Sequence, residues 1–320
     1  MGFRGWTLAA WLIWVATPVV AVAAAPSYRT VEGAGGVPLN VVTAGDPAKT
    51  PILLVHGIGQ SHLSFENQLG SPLSDEFHVV SFDLRGHGNS GKPWGEQDYR
   101  DSRNWAGDVA RIITALKLDR PVLLGWSYGT LVVSDYVRHE GTSKLRGIVF
   151  VGAYGGLTPP PAPAPAAIAE QMQRNRTLQM SSSPADNAMA ARNVVRMLTA
   201  KDMGAEWYER ATAVAMMLPM YARRQMFDRR LANTDLIPRF DVPVLINVGA
   251  KDPSTPEPAA RELTARLPSA SVSVYADAGH SPFAEDPARF NRELAEFARR
   301  VTLKQDAPQP AAARAGIRPN

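Results

Sequence analysis

Short apolar runs recur along this chain at Ile52 to Val55, His78 to Phe82, Pro121 to Gly125, Gly147 to Val151 and Val242 to Val248. Such runs predict strands covered on both faces, because a strand with one wet face alternates apolar and polar residues. Alternation does occur earlier, over Tyr28 to Glu32 and Pro38 to Ala44, around Gly33, Gly35 and Gly36. That pattern reads as an antiparallel hairpin at a sheet edge. Ser271 to Tyr275 is a further strand. Between the strands the spacing becomes that of amphipathic helices. Asp101 to Leu118 carries Trp105, Val109, Ile112, Ile113 and Leu116, and Pro287 to Val301 turns Phe290, Leu294 and Phe297 inward. Thr130 to Arg138 and Glu257 to Leu267 are two more helices. Strands alternating with helices through short loops predict an α/β fold, a mostly parallel doubly wound sheet whose sites lie at strand carboxyl ends.

The pattern breaks at Gly155. Prolines at 159, 160, 161, 163 and 165 form a semi-rigid connector. From there to Pro238 the spacing is helical, without a convincing strand, and the stretch holds nine of the ten methionines. We read residues 155–238 as a helical cap inserted into a core made of 26–154 and 239–303. Its methionines serve either as core between cap helices or as a soft face toward the site. Residues 1–25 carry one charge, Arg4, then an apolar run and Ala21-Val22-Ala23, the layout of a cleavable signal peptide that implies a periplasmic or secreted protein. Retained as an uncleaved helix, the same segment is long enough to anchor the chain in a membrane. The tail from 304 to 320, rich in Ala and Pro, is expected to be disordered.

The strand at 121–125 leads into Gly125-Trp126-Ser127-Tyr128-Gly129 and then an apolar helical run. Glycines two positions to each side of a serine remove Cβ atoms where strand and helix converge, and the tight turn thrusts Ser127 out at the sheet's carboxyl end. The helix begins there, so the Tyr128 N–H is available to a developing oxyanion. A second donor is expected from the Gly-rich loop after the strand ending at Val55, and we assign it to the Ile58 N–H. Serine needs a base. Asp252 and His280 each follow a later strand, in the order Ser, acid, His. Asp277 is too near His280 on one short loop to reach behind its ring, and no acid follows Val151 within the next several residues. His56 is read as a brace for its loop, Asp83 and Arg85 as a structural pair, and Ser90 as a residue with no base beside it.

Composition removes several classes of function. The chain of 320 residues has no cysteine, which excludes disulfides, thiolate metal sites and thiol catalysis. Of the formal charge of +4, all but one unit lies in the two terminal segments, leaving too little on the body to argue for nucleic acid. The cap's ten basic and seven acidic residues, with Arg223-Arg224 and Arg229-Arg230, hint only faintly at an anionic substrate.

The motifs VHGIG, FDLRGHGNS, GWSYG, GAKD and AGHSPFAEDP resemble those of the α/β-hydrolase superfamily, specifically capped ester hydrolases of the haloperoxidase and carboxylesterase type. The resemblance spans about residues 28–301 except the cap. It implies an eight-stranded sheet, a Ser127–His280–Asp252 triad, an oxyanion hole from Ile58 and Tyr128, and no cofactor. The proline-rich cap entry has no counterpart, so substrate class does not carry over. Serine at the turn, rather than aspartate, excludes the epoxide- and carbon–halogen-cleaving chemistries. The expectation is a serine esterase for a small to medium apolar ester. A carbon–carbon bond hydrolase, a lyase or an acyltransferase using the same triad is the alternative, and a non-catalytic receptor on this scaffold is disfavoured because no triad member is missing.

Overall fold

The structure is a computed structural model, and it describes residues 25–159, 166–267 and 269–306. The signal-peptide expectation, most of the proline connector and the tail beyond 306 lie outside the described residues. Eight strands form one sheet in the order β1-β2-β4-β3-β5-β6-β7-β8. β1 (Ser27–Glu32) and β2 (Pro38–Ala44) make the expected antiparallel edge hairpin, and β2 is also antiparallel to β4 (His78–Phe82). β3 (Pro51–Val55), β5 (Val122–Trp126), β6 (Gly147–Val151), β7 (Val244–Gly249) and β8 (Ala270–Tyr275) continue in parallel from β4. Every residue of β3 to β7 is buried, as the unbroken apolar runs require.

The chain leaves β3 in one direction for β4 and returns on its other side as β5. The crevice between β3 and β5 is therefore the point where connections diverge, the place such sheets bind ligands. Registers such as Val55 opposite Gly125 and Gly249 opposite Tyr275 align the carboxyl ends.

Helix α1 (Ser102–Ala115) is capped by the Asp101 carboxylate, which accepts the Arg103 N–H at 2.8 Å. It packs against α2 (Tyr128–Glu140), the helix that follows Ser127. The stretch expected to form a cap contains α3 (Ala166–Gln179), α4 (Pro184–Arg196), α5 (Ala205–Met216) and α6 (Met220–Phe227). After β7 come α7 (Glu257–Arg266) and, beyond β8, α8 (Pro287–Asp306). The last helix thus runs three residues into the stretch read as tail. Short helical turns at His62–Phe65, Glu66–Leu69 and Leu73–Glu76 are absent from the periodicity because four residues are too few to repeat it.

Two readings need correction. Asp83 does not pair with Arg85. Its carboxylate accepts from the His62 ring and backbone N–H, both at 2.8 Å, and from Asn40 and Asn89. Arg85 instead makes a bidentate pair with Asp108 of α1, two bonds of 2.7 Å with both side chains buried. Both residues lie beyond the end of β4 at Phe82, where the chain turns, and the Arg85 fork reaches the helix instead.

Five of the nine methionines in residues 155–238 fit neither role expected for them. Met172, Met189, Met197, Met216 and Met217 are exposed, while Met226 is buried. The buried residues of α4 and α5 are Ala190, Ala191, Val195, Ala211, Val214 and Ala215, side chains short enough for helices to approach closely, which leaves these methionines outside. Three of the four arginines singled out in this stretch are engaged. Arg223 donates to Gln179, Asn187 and Leu218, Arg229 to Asp135, and Arg230 to Asp235.

Candidate active site

Ser127 joins β5 to α2 with φ +53° and ψ −118°. A residue with a Cβ holds such a backbone at a cost of about 1–3 kcal/mol, so the surroundings must impose it. Its N–H donates to the Val151 carbonyl at 2.9 Å, and its carbonyl accepts from the Thr130 N–H at 3.0 Å and the Thr130 hydroxyl at 2.6 Å. Thr130 Oγ1 in turn accepts the Gly155 N–H, which ties the turn to the start of the cap. The flanking glycines are needed for their missing Cβ: one on Gly129 would lie 2.2 Å from the Val55 carbonyl oxygen, and one on Gly125 would lie 2.5 Å from that of Gly129.

The loop after β3 lies against this turn, since a Cβ on Gly57 would sit 3.0 Å from the Ser127 Cβ. Among the described residues the backbone N–H groups of Ile58 and Tyr128 donate to no protein acceptor. His56 braces the loop as expected. Its Nδ1 meets the Gly57 carbonyl at 2.7 Å and its Nε2 accepts the Leu84 N–H at 2.9 Å, a pairing that fixes the neutral tautomer. Burial pushes its pKa down to about 4. Ser90 is structural too, donating to the Asp83 carbonyl and accepting the Asn40 N–H.

The loops after β7 and β8 bring the other two residues together. His280 Nδ1 lies 2.6 Å from Asp252 Oδ2. Asp252 Oδ1 accepts the Ser254 N–H at 2.8 Å and the Ser254 hydroxyl at 2.6 Å, and the Thr255 hydroxyl donates to Oδ2. Burial opposes the Asp252 charge, but the bonds and charge of His280 with the two hydroxyls outweigh it and hold the carboxyl below its ordinary range. Asp277 is at the surface, paired with Lys251 at 3.0 Å.

The imidazole lies beside the end of β6, where a Cβ on Gly152 would be 3.1 Å from His280 Nδ1, and its ring centroid is 5.9 Å from that of Trp126, the residue before Ser127. The Ser127 hydroxyl makes no hydrogen bond to His280 in this structure, a looseness common in unliganded sites that tightens when substrate binds. Sequence reasoning missed Thr130, Ser254, Thr255, Trp126 and Glu285. Only Ser254 and Thr255 carried a local signal, hydroxyls two and three residues beyond an aspartate, where an Asx turn forms.

The α/β-hydrolase fold family model matches residues 50–287, about three-quarters of the chain. This chain belongs to the α/β-hydrolase fold family. A putative aryl esterase from Burkholderia cenocepacia is 31% identical, with 86% of this chain and 99% of that one aligned at a TM-score of 0.79. The esterase RhEst1 from Rhodococcus sp. ECU1013 is 29% identical over 86% and 99%, at a TM-score of 0.75. The non-heme chloroperoxidase CPO-A1 from Kitasatospora aureofaciens is 25% identical over 77% of this chain and 91% of its own length.

In this α/β hydrolase the helices inserted between β6 and β7 meet the serine turn and the loop after β3. Tyr128 donates its hydroxyl to the Met226 carbonyl of α6 at 3.3 Å, and Gly59 lies beneath Ala215 of α5. A cleft between α5 and the core is lined by Gln60, Trp126, Trp207, Arg210, Val214 and Phe283. Among the described residues no group of three His, Cys, Asp or Glu is arranged to hold a metal ion, and no helix is long and apolar enough to cross a membrane.

Proposed function

We propose that this α/β hydrolase is a serine esterase working through an acyl-enzyme on small to medium apolar esters. The observation that carries the reading is the 2.6 Å His280–Asp252 contact beside a serine held at positive φ. In the proposed cycle His280 Nε2 takes the Ser127 proton as Oγ attacks the ester carbonyl, and Asp252 holds the proton on Nδ1 and stabilises the imidazolium. The Ile58 and Tyr128 N–H groups meet the oxyanion. His280 then protonates the leaving alcohol, and water, deprotonated by the same imidazole, releases the acid.

Esterases among the similar structures support ester hydrolysis over the lyase and acyltransferase alternatives. The small cleft next to the serine turn presents Trp126, Trp207 and Phe283 beside Gln60, Ser61, Arg210 and Ser281, and its apolar part suits an apolar group on the substrate. Ser127→Ala is expected to abolish hydrolysis of p-nitrophenyl butyrate with an unchanged circular dichroism spectrum. Retained turnover would remove the assignment, and a chain-length series in kcat/KM should show an optimum set by the cleft.

A further inference from the structure

Glu285 closes the short turn Pro282–Glu285, five residues beyond His280, and its side chain is buried. Its carboxylate accepts three backbone N–H groups from two separate parts of the molecule. Oε1 takes the Gly279 N–H at 2.8 Å, from the residue before His280. Oε2 takes the N–H groups of Ala200 at 2.7 Å and Lys201 at 3.0 Å, both in the cap strap joining α4 to α5. The Lys201 ammonium also donates to the Glu285 carbonyl at 2.9 Å.

The packing around these bonds is backbone on backbone. A Cβ on Gly279 would lie 2.7 Å from Ala200 N, and one on Gly249 would lie 2.0 Å from the Gly279 oxygen. Lys251, next to Asp252, donates its N–H to the Ala278 carbonyl at 3.0 Å. Acid turn, base loop and cap strap therefore meet backbone against backbone, with the Glu285 carboxylate at the junction. Gly279, Ala200 and Lys201 all present donors to the place where they meet, so they cannot pair with each other and need an acceptor with two oxygens.

We propose that Glu285 is a positioning residue that couples cap seating to the general base, holding His280 for proton transfer while residues 199–201 are docked. The proposal deepens the esterase reading and rests on it for the role of His280. Glutamine at 285 retains one carbonyl oxygen, which can serve the base loop or the strap but not both. A carboxylate that only stabilised the fold would leave turnover below the melting transition untouched, whereas one that orients the imidazole acts on the chemical step.

The test compares wild type with Glu285→Gln and Glu285→Ala on p-nitrophenyl butyrate, at a temperature where circular dichroism shows each variant folded. Glu285→Gln is expected to lower kcat about tenfold and Glu285→Ala about 100-fold, with KM held within about twofold. Inactivation of Ser127 by a fluorophosphonate should slow by the same factors, because it uses the same base. Glu206→Gln, which alters an exposed carboxylate on α5 and leaves all of these bonds in place, should change neither. A lowered melting temperature with unchanged kcat and inactivation rate overturns the proposal, as does a change confined to KM. Amide hydrogen exchange on the wild-type chain needs no variant and no turnover: Gly279, Ala200 and Lys201 should open together, and fast exchange of the strap with a protected Gly279 overturns the coupling. A wild type inert to both ester and fluorophosphonate removes the esterase reading, while the exchange result still decides whether the two segments are joined.

Discussion

The indole N–H of Trp126 donates to the carbonyl oxygen of His280 at 2.8 Å, so the residue before the serine holds the backbone of its proposed base. Gly57 packs on the same ring, and Phe283 meets it edge-on with centroids 4.9 Å apart. The serine turn, the loop after β3 and the histidine loop thus share one aromatic side chain. Phenylalanine at 126 would keep most of that packing and lose the single bond. Trp126→Phe is expected to lower kcat/KM about tenfold, the scale of one lost hydrogen bond, with a modest fall in melting temperature. Steady-state kinetics beside a thermal melt check it, and unchanged kcat/KM would show that the bond does not position the loop.

The backbone of Ser127 makes a second prediction in the opposite direction. Glycine adopts φ +53° without a Cβ clash, although it loses more conformational freedom on folding. Ser127→Gly is expected to abolish activity and to stabilise the fold by about 1 kcal/mol, the strain released less that entropy. Denaturant melts of the two proteins read the difference. A variant less stable than the parent contradicts the view that the turn is strained.

Acid should destabilise this protein in a window set by its buried histidines. Burial lowers the pKa of His56 to about 4 and that of His87 to about 3, against 6.5 for an ordinary histidine. Between about pH 6.5 and 4 the unfolded chain therefore binds protons that the folded chain does not, and stability falls as pH falls. For His56 alone the loss amounts to about 3 kcal/mol. Asp83 and Asp252, both held below the ordinary 3.8, add their losses only beneath that pH. Melting temperatures measured across pH 4 to 7 should decline toward acid, with a shallower slope in His56→Asn. An equal slope in parent and variant removes His56 from the account.

The parts of this molecule that follow local rules were legible in its sequence. The apolar runs marked β3 to β7, and residues 125–129 marked the serine turn, because a strand buried on both faces and a convergence that excludes Cβ each leave a local signature. Pairings between distant segments left none. Arg85 reached Asp108 of α1 rather than Asp83 two residues away, and Glu285 met the cap strap some 85 residues upstream. The methionines misled for a related reason. Which face of a cap helix is covered depends on its neighbours, and Ala190, Ala211 and Ala215 make that contact here.

The account stands on Ser127 as a nucleophile armed by His280. Incubation with a fluorophosphonate, followed by mass spectrometry of the digested protein, tests that directly. One adduct is predicted, on the peptide containing Ser127, absent in Ser127→Ala and formed at least about 1,000-fold more slowly in His280→Ala. Labelling at another residue, or at Ser127 with an undiminished rate when His280 is replaced, would contradict it.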